Sequence, residues 1–111
     1  VISNSKKVRC KSVEFNCDTS NFKENESVQL AIRPEDIQFK QENSDDNILS
    51  AKIKEIDFLG SYQRVYFESK SLTDDLIIVD VPSSNARKIK LAVNTEMNLF
   101  FSKEDARIYS V

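Results

Sequence analysis

Histidine and tryptophan are absent from this sequence, and glycine occurs once, at position 60. Without histidine there is no Ser-His-Asp or Cys-His pair, no imidazole general base and no histidine-ligated metal. One glycine also excludes the Gly-rich phosphate loops of P-loop and dinucleotide-binding proteins. Catalysis by carboxylates or lysine stays open, but nothing in the composition calls for it, and a binding, regulatory or structural module is expected. The two cysteines, Cys10 and Cys17, are seven residues apart, which matches no zinc or redox spacing. With no signal-peptide pattern, they read as free thiols of a reducing compartment, the alternative being a disulfide across one hairpin. No apolar run approaches the roughly 20 residues needed to span a bilayer.

What remains is an ordinary globular composition, 40% apolar and 31% charged over 111 residues. One domain over 1–111 fits that length and buries roughly two-thirds of its unfolded surface. The first residue is Val1 rather than methionine, so a fragment of a longer protein is expected. Net charge is −2, which argues against a nucleic-acid binder. It is unevenly spread: Lys6, Lys7, Arg9 and Lys11 stand in a stretch with no acid, so the other hundred residues sum to −6. That arm reads as a solvated first strand, the alternative being a phosphate contact.

Hydrophobic periodicity is mostly two. Val28, Leu30 and Ile32 alternate with polar or small neighbours, as do Leu49, Ala51 and Ile53, Val65 and Phe67, and Met97, Leu99 and Phe101. This is the pattern of antiparallel sheet with one face on a core. The run Leu76–Val79 is continuously apolar, which predicts the most buried strand. Phase breaks occur where Ile53 gives way to Ile56 and Phe58, and where Val8 and Cys10 give way to Val13 and Phe15. Each predicts a β-bulge or a sharp bend within one strand, and short strands so broken predict a small closed barrel. The fold class expected is therefore all-β.

Helical signals are few. Ser102–Asp105 reads as one capped turn, and Ser83–Lys90 as a short turn after Pro82. Loops are expected near Asp18–Glu26, Gln41–Asn47 and Ser69–Asp75. The carboxylate pairs Asp45-Asp46 and Asp74-Asp75 read as solubilising turns.

The most informative run is Leu30-Ala31-Ile32-Arg33-Pro34-Glu35-Asp36-Ile37. Pro34 ends a strand and suits the first position of a helical turn, whose positive end favours Glu35 and Asp36. Ile37 and Phe39 are then expected to resume a strand. Arg33 reads locally as a partner of Glu35 or of a neighbouring acid, a pair worth little if exposed. This run resembles the signature of the TOBE (transport-associated OB) domain. A second anchor is Phe58-Leu59-Gly60-Ser61 with Arg64 following, and a third is the closing segment Asn98–Tyr109. The resemblance spans the chain from the Val8–Phe15 strand to Tyr109. It departs before Met97, where the family often has glycine and this chain has Asn94, a residue able to take the left-handed conformation.

The resemblance implies an OB-like β-barrel that serves as the C-terminal regulatory and pairing domain of the ATP-binding subunit of a bacterial ABC importer. Phosphonate, ferric iron and polyamine importers share its features. ATP and Mg would be held by an ATPase domain upstream of Val1, not by this chain, and no metal is expected here. The implied partners are that domain, a second copy of the subunit and the membrane permease subunits, at the cytoplasmic face of the membrane. A second reading is an oxyanion sensor of the same fold, with Ser83, Ser84, Arg87 and Lys88 offering hydroxyls and cations in one turn. A third is a single-stranded nucleic-acid module stacking bases on Tyr62, Tyr66 and Tyr109 beside Arg64.

Overall fold

The computed structural model describes residues 2, 7–10, 13–69 and 76–111. Among them the chain forms eight strands: β1 (Val8–Cys10), β2 (Val13–Phe15), β3 (Val28–Ala31), β4 (Asn47–Phe58), β5 (Tyr62–Glu68), β6 (Ile77–Pro82), β7 (Glu96–Phe101) and β8 (Arg107–Ser110). A 3-10 turn, Pro34–Asp36, follows β3, and a single helical turn, α1 (Ser83–Ala86), follows β6. All pairings are antiparallel: β1 with β2, β3 with β8, and a four-stranded sheet in the order β6-β5-β4-β7. The main sheet curls into an OB-like half-barrel. Among the described residues no strand pairing joins β6 to β3, so the barrel keeps an open seam there.

β4 holds the architecture together because it is long enough to pair twice. Residues 47–52 pair with β7, and residues 52–58 pair with β5. Between the two, the register slips: Ile53 faces Phe67 and Glu55 faces Tyr66, leaving Lys54 as the extra residue of a bulge. This is the phase break read from the sequence. It lets Asn47, Leu49, Ala51 and Ile53 face inward on one parity and Ile56 on the other, bending the strand around the core.

The second phase break has a different cause. Val8 pairs with Phe15 and Cys10 with Val13, so β1 and β2 are two arms of a hairpin and not one bulged strand. Cross-strand partners in this register have opposite parity yet share a face, which produces the same sequence pattern as a bulge. Cys10 and Cys17 are free thiols.

Val65, Phe67, Val79 and Ile53 are completely buried, with Phe15 and Leu99 nearly so. The Phe15 and Phe101 rings lie 5.4 Å apart and tilted, and Phe39 packs 6.1 Å from Phe67. Each such side chain contributes about 1.5–3 kcal/mol by leaving water. The apolar run at Leu76–Val79 is not the most buried strand. β6 is an edge of the main sheet, and Leu76 and Ile78 are 48% and 37% exposed, whereas β5 is central. Continuous apolarity marks a strand covered on both faces only where neighbours exist to cover it.

Loops lie where expected at 16–27 and 41–46. Asp46 Oδ2 accepts from the amides of Glu42 and Asn43, both at 3.0 Å, and Asp18 Oδ1 accepts from Ser20 N–H at 3.0 Å. The loop expected at Ser69–Asp75 lies outside the described residues except for Ser69, as do Lys6 and Lys11 of the basic arm and Asp74-Asp75. Ser102–Asp105 is a turn: Asp105 N–H donates to the Ser102 carbonyl, and Glu104 N–H to its hydroxyl. No local sequence pattern marks Asn47, which is buried. Its side-chain oxygen accepts from Asn16 N–H at 2.6 Å and its amide donates to Asn16 O at 2.9 Å, so a side chain imitates a strand partner.

Candidate functional site

Three segments singled out in the sequence meet at one end of the sheet. The first is the Arg33-Pro34-Glu35-Asp36 turn. Arg33 is extended (φ −69°, ψ 140°), as the residue before a proline must be, and Pro34 occupies the first position of the 3-10 turn. Asp36 N–H closes the turn on Arg33 O at 3.0 Å. Ile37 and Phe39 do not resume a strand. Only Gln38 pairs, exchanging two backbone hydrogen bonds with Phe100 (2.7 and 2.8 Å). No ion pair within the described residues joins Arg33 to Glu35, which are both exposed.

The second segment is the β4–β5 hairpin. Leu59 N–H donates to Tyr62 O at 3.0 Å, leaving Gly60 and Ser61 as the two loop residues. Gly60 has φ +82° and Ser61 has no positive φ, the pattern of a type II′ turn, which wants glycine first. A Cβ on Gly60 would meet nothing within 4 Å, so the requirement is backbone conformation and not space. The sole glycine therefore reverses a hairpin. The turn also lifts Phe58 into solvent, 76% exposed.

The third segment, Pro82 through α1, is tied to that turn. Ser83 donates its hydroxyl to Gly60 O at 2.6 Å and its backbone N–H to Ser61 O at 3.0 Å. Beside the tie, Arg64 faces Asp80 across β5–β6 and forms a two-pronged pair with it (Nε–Oδ1 2.9 Å, Nη2–Oδ2 3.2 Å). The carboxylate raises the Arg64 pKa further above its already high value. The Arg64 guanidinium lies 5.8 Å from the Tyr62 ring centre. Tyr66 donates its hydroxyl to Asp57 Oδ2 at 2.9 Å, which raises the Tyr66 pKa because the bond holds the proton on the phenol.

Two clefts flank the Pro34–Asp36 turn. One, of about 460 Å³, runs between that turn, the end of β6 and α1, where Glu35, Gln38, Lys40, Asp80 and Asn85 supply the polar groups. The other, of about 550 Å³, lies along the seam between β3 and β6 and is apolar, with Leu30, Pro34, Ile37, Ile77 and Phe101 in its walls. The described residues contain no group of three His, Cys, Asp or Glu placed to hold a metal. Among the described residues no helix is long and apolar enough to cross a membrane.

A family model of the TOBE domain matches residues 30–108, most of the chain. The chain belongs to the TOBE domain family. The match takes in the Pro34 turn, the Gly60 hairpin and α1 of this TOBE domain, but not β1, β2 or the loop after them. Among solved structures the domain is similar to the cytoplasmic molybdate-binding protein ModG in its molybdate-bound form. The TM-score is 0.70 at 11% identity, over 82% of this chain and 67% of that one. No curated protein matches it by sequence.

The geometry redistributes the residues expected to act. Ser83 has both its donors engaged in the TOBE domain's own hairpin, while Ser84, Arg87 and Lys88 are exposed and lie outside the cleft walls. The amides of Arg87 and Lys88 donate to Ser83 O and Asn85 O. Arg64 is engaged by Asp80, and Tyr109 sits on β8 in a different sheet from Tyr62 and Tyr66, so the three tyrosines form no common platform. No local pattern in the sequence marks the polar cleft; the pairing of β5 with β6 places Asp80 there, and the α1 turn that follows places Asn85.

Proposed function

We propose that this TOBE domain is the C-terminal regulatory and pairing domain of the ATP-binding subunit of an ABC importer, of the phosphonate, ferric iron or polyamine group. The carrying observation is the family match over residues 30–108, which contains both the Arg33–Asp36 turn and the Phe58–Ser61 hairpin with Arg64. On this reading ATP and Mg belong to an upstream ATPase domain and no reaction is assigned to this chain. Its partners are that domain, a second copy of the subunit and, through the assembled transporter, the permease subunits at the cytoplasmic face of the membrane. Two engaged carboxylates agree with a non-catalytic role: Asp46 closes a loop, and Asp45 pairs with Lys103 at 2.9 Å. The test is the coding sequence upstream of Val1. An in-frame ATPase domain with a Walker A motif is the expected result, and a natural start codon at or just before Val1 overturns the reading.

The likeness to ModG, described as molybdate-binding, favours a second reading, an oxyanion sensor on the same fold. An anion held at α1 would rely on Ser84, Arg87 and Lys88, since the donors of Ser83 are occupied. Calorimetry with molybdate, sulfate and a phosphonate tests it, and absence of heat at millimolar ligand ends it.

A further inference from the structure

The outer face of the main sheet departs from what solvent alone would select. A sheet with one face on the core ordinarily turns polar side chains outward. Here the register sets Tyr62 beside Pro82 and Tyr66 beside Ile78 on the outward side of β5 and β6, with both tyrosines half-buried and Ile78 exposed. Tyrosine and arginine are the residue types that dominate binding energy at protein interfaces. These are also held in place beforehand. The Tyr66 hydroxyl is fixed by Asp57, and Arg64 is clamped by Asp80 over the Tyr62 ring, so little side-chain freedom is left to lose on contact.

Charge decides the occupant. Asp80 neutralises Arg64, and Lys54 pairs with Glu68 at 3.6 Å. Asp57 faces Arg64 and Glu55 faces Tyr66 across β4–β5, and among the described residues no lysine or arginine forms an ion pair with either carboxylate. Lys52 and Lys54 both lie by Glu68, at the far end of β5 from Tyr62, so around Tyr62 and Tyr66 the aromatic face is left with the carboxylates of Glu55 and Asp57 outside any ion pair of the described residues. An anionic ligand would meet repulsion from Glu55 and Asp57, whereas a cationic segment would be attracted. We propose that the outer face of β4, β5 and β6 around Tyr62 and Tyr66 is a docking surface for a protein segment that presents arginine or lysine among apolar side chains. This does not depend on the importer reading.

The test is an NMR titration of the full chain with a short peptide alternating leucine and arginine, and with its leucine–glutamate counterpart, at physiological salt. Shifts confined to Tyr62–Glu68 and Ile78–Asp80 are expected with the arginine peptide and none with the other. The Glu55→Gln/Asp57→Asn double variant should weaken binding about tenfold, with Glu55→Gln alone as a second variant that leaves the Tyr66 hydrogen bond in place. A Glu24→Gln/Glu104→Gln control removes equal charge elsewhere and should leave affinity unchanged. Equal loss in that control, or shifts spread over the whole surface, overturns the proposal. So does a dimer, seen by sedimentation, that Ile78→Asp splits.

Discussion

Ser83 donates its hydroxyl to the carbonyl oxygen of Gly60 at 2.6 Å, across 23 residues of sequence. With the Ser83 amide on Ser61 O, this ties the end of β6 to the turn that reverses β4 into β5. The residue that looked in the sequence like an anion contact is thus a fastening between two family motifs. Ser83→Ala should lower stability by about 0.5–1.5 kcal/mol, the net worth of one hydrogen bond, as read by urea denaturation. It should leave any anion affinity unaltered, and a selective loss of oxyanion heat with unchanged stability would refute the fastening.

Gly60 and Ser61 offer an internal comparison. Both are exposed loop residues, but only Gly60 has positive φ. Gly60→Val should cost about 1–2 kcal/mol through left-handed strain, and Ser61→Val a few tenths. Thermal melts of both variants check this, and equal tolerance would mean the turn is not type II′.

The edge position of β6 predicts an asymmetry between two aliphatic residues. Val65 is 0% exposed on central β5, and Ile78 is 37% exposed on the edge. Val65→Ala should destabilise by about 2–3 kcal/mol and Ile78→Ala by less, although the second removes more atoms. Denaturant midpoints that rank them the other way would place Ile78 in a core.

Two surface contacts set a pH dependence. Lys103 draws the Asp45 pKa down, and Asp45 draws that of Lys103 up. The Asp45 contribution is therefore lost as pH falls below the ordinary aspartate range, and the Lys103 contribution as pH rises above the ordinary lysine range. Tyr66 has its pKa raised by its bond to Asp57, so its contribution is present below the normal phenol value and lost as pH rises through the folded one. Stability followed by urea denaturation with circular dichroism should fall at alkaline pH, and Tyr66→Phe should remove part of that fall. An identical alkaline limb in the variant would disprove the assignment.

Burial raises the pKa of both thiols, with Asp18 and Cys10 adding to the effect at Cys17. Cys10 and Cys17 should react with a thiol reagent more slowly at neutral pH than free cysteine does, because the thiolate attacks. Rates equal to free cysteine would show that neither is shielded.

Much of this protein is legible in its sequence. Period-two alternation, the phase break after Ile53, the turn at Pro34 and the left-handed conformation of Asn94 (φ 74°) are local consequences of side-chain type, and all four occur in the structure. Asn25 (φ 65°) takes the same conformation, which the loop composition alone did not single out. Two local patterns are ambiguous without knowledge of the neighbouring strands. A hairpin and a bulge write the same parity change at Val8–Phe15, and an apolar run at Leu76–Val79 does not say whether a neighbour exists on both sides.

Gly60 marks the boundary between the two kinds of information. By itself the sequence determined that the chain has no glycine-rich phosphate loop and no histidine chemistry, because those need residue types that are simply missing. It also placed the one glycine inside a motif of the family to which the chain belongs. Only the tertiary structure decided that this glycine turns a hairpin, that Ser83 fastens it, and that Arg64 answers to Asp80. Those partners stand 23 and 16 residues apart, and strand register rather than local preference brings them together.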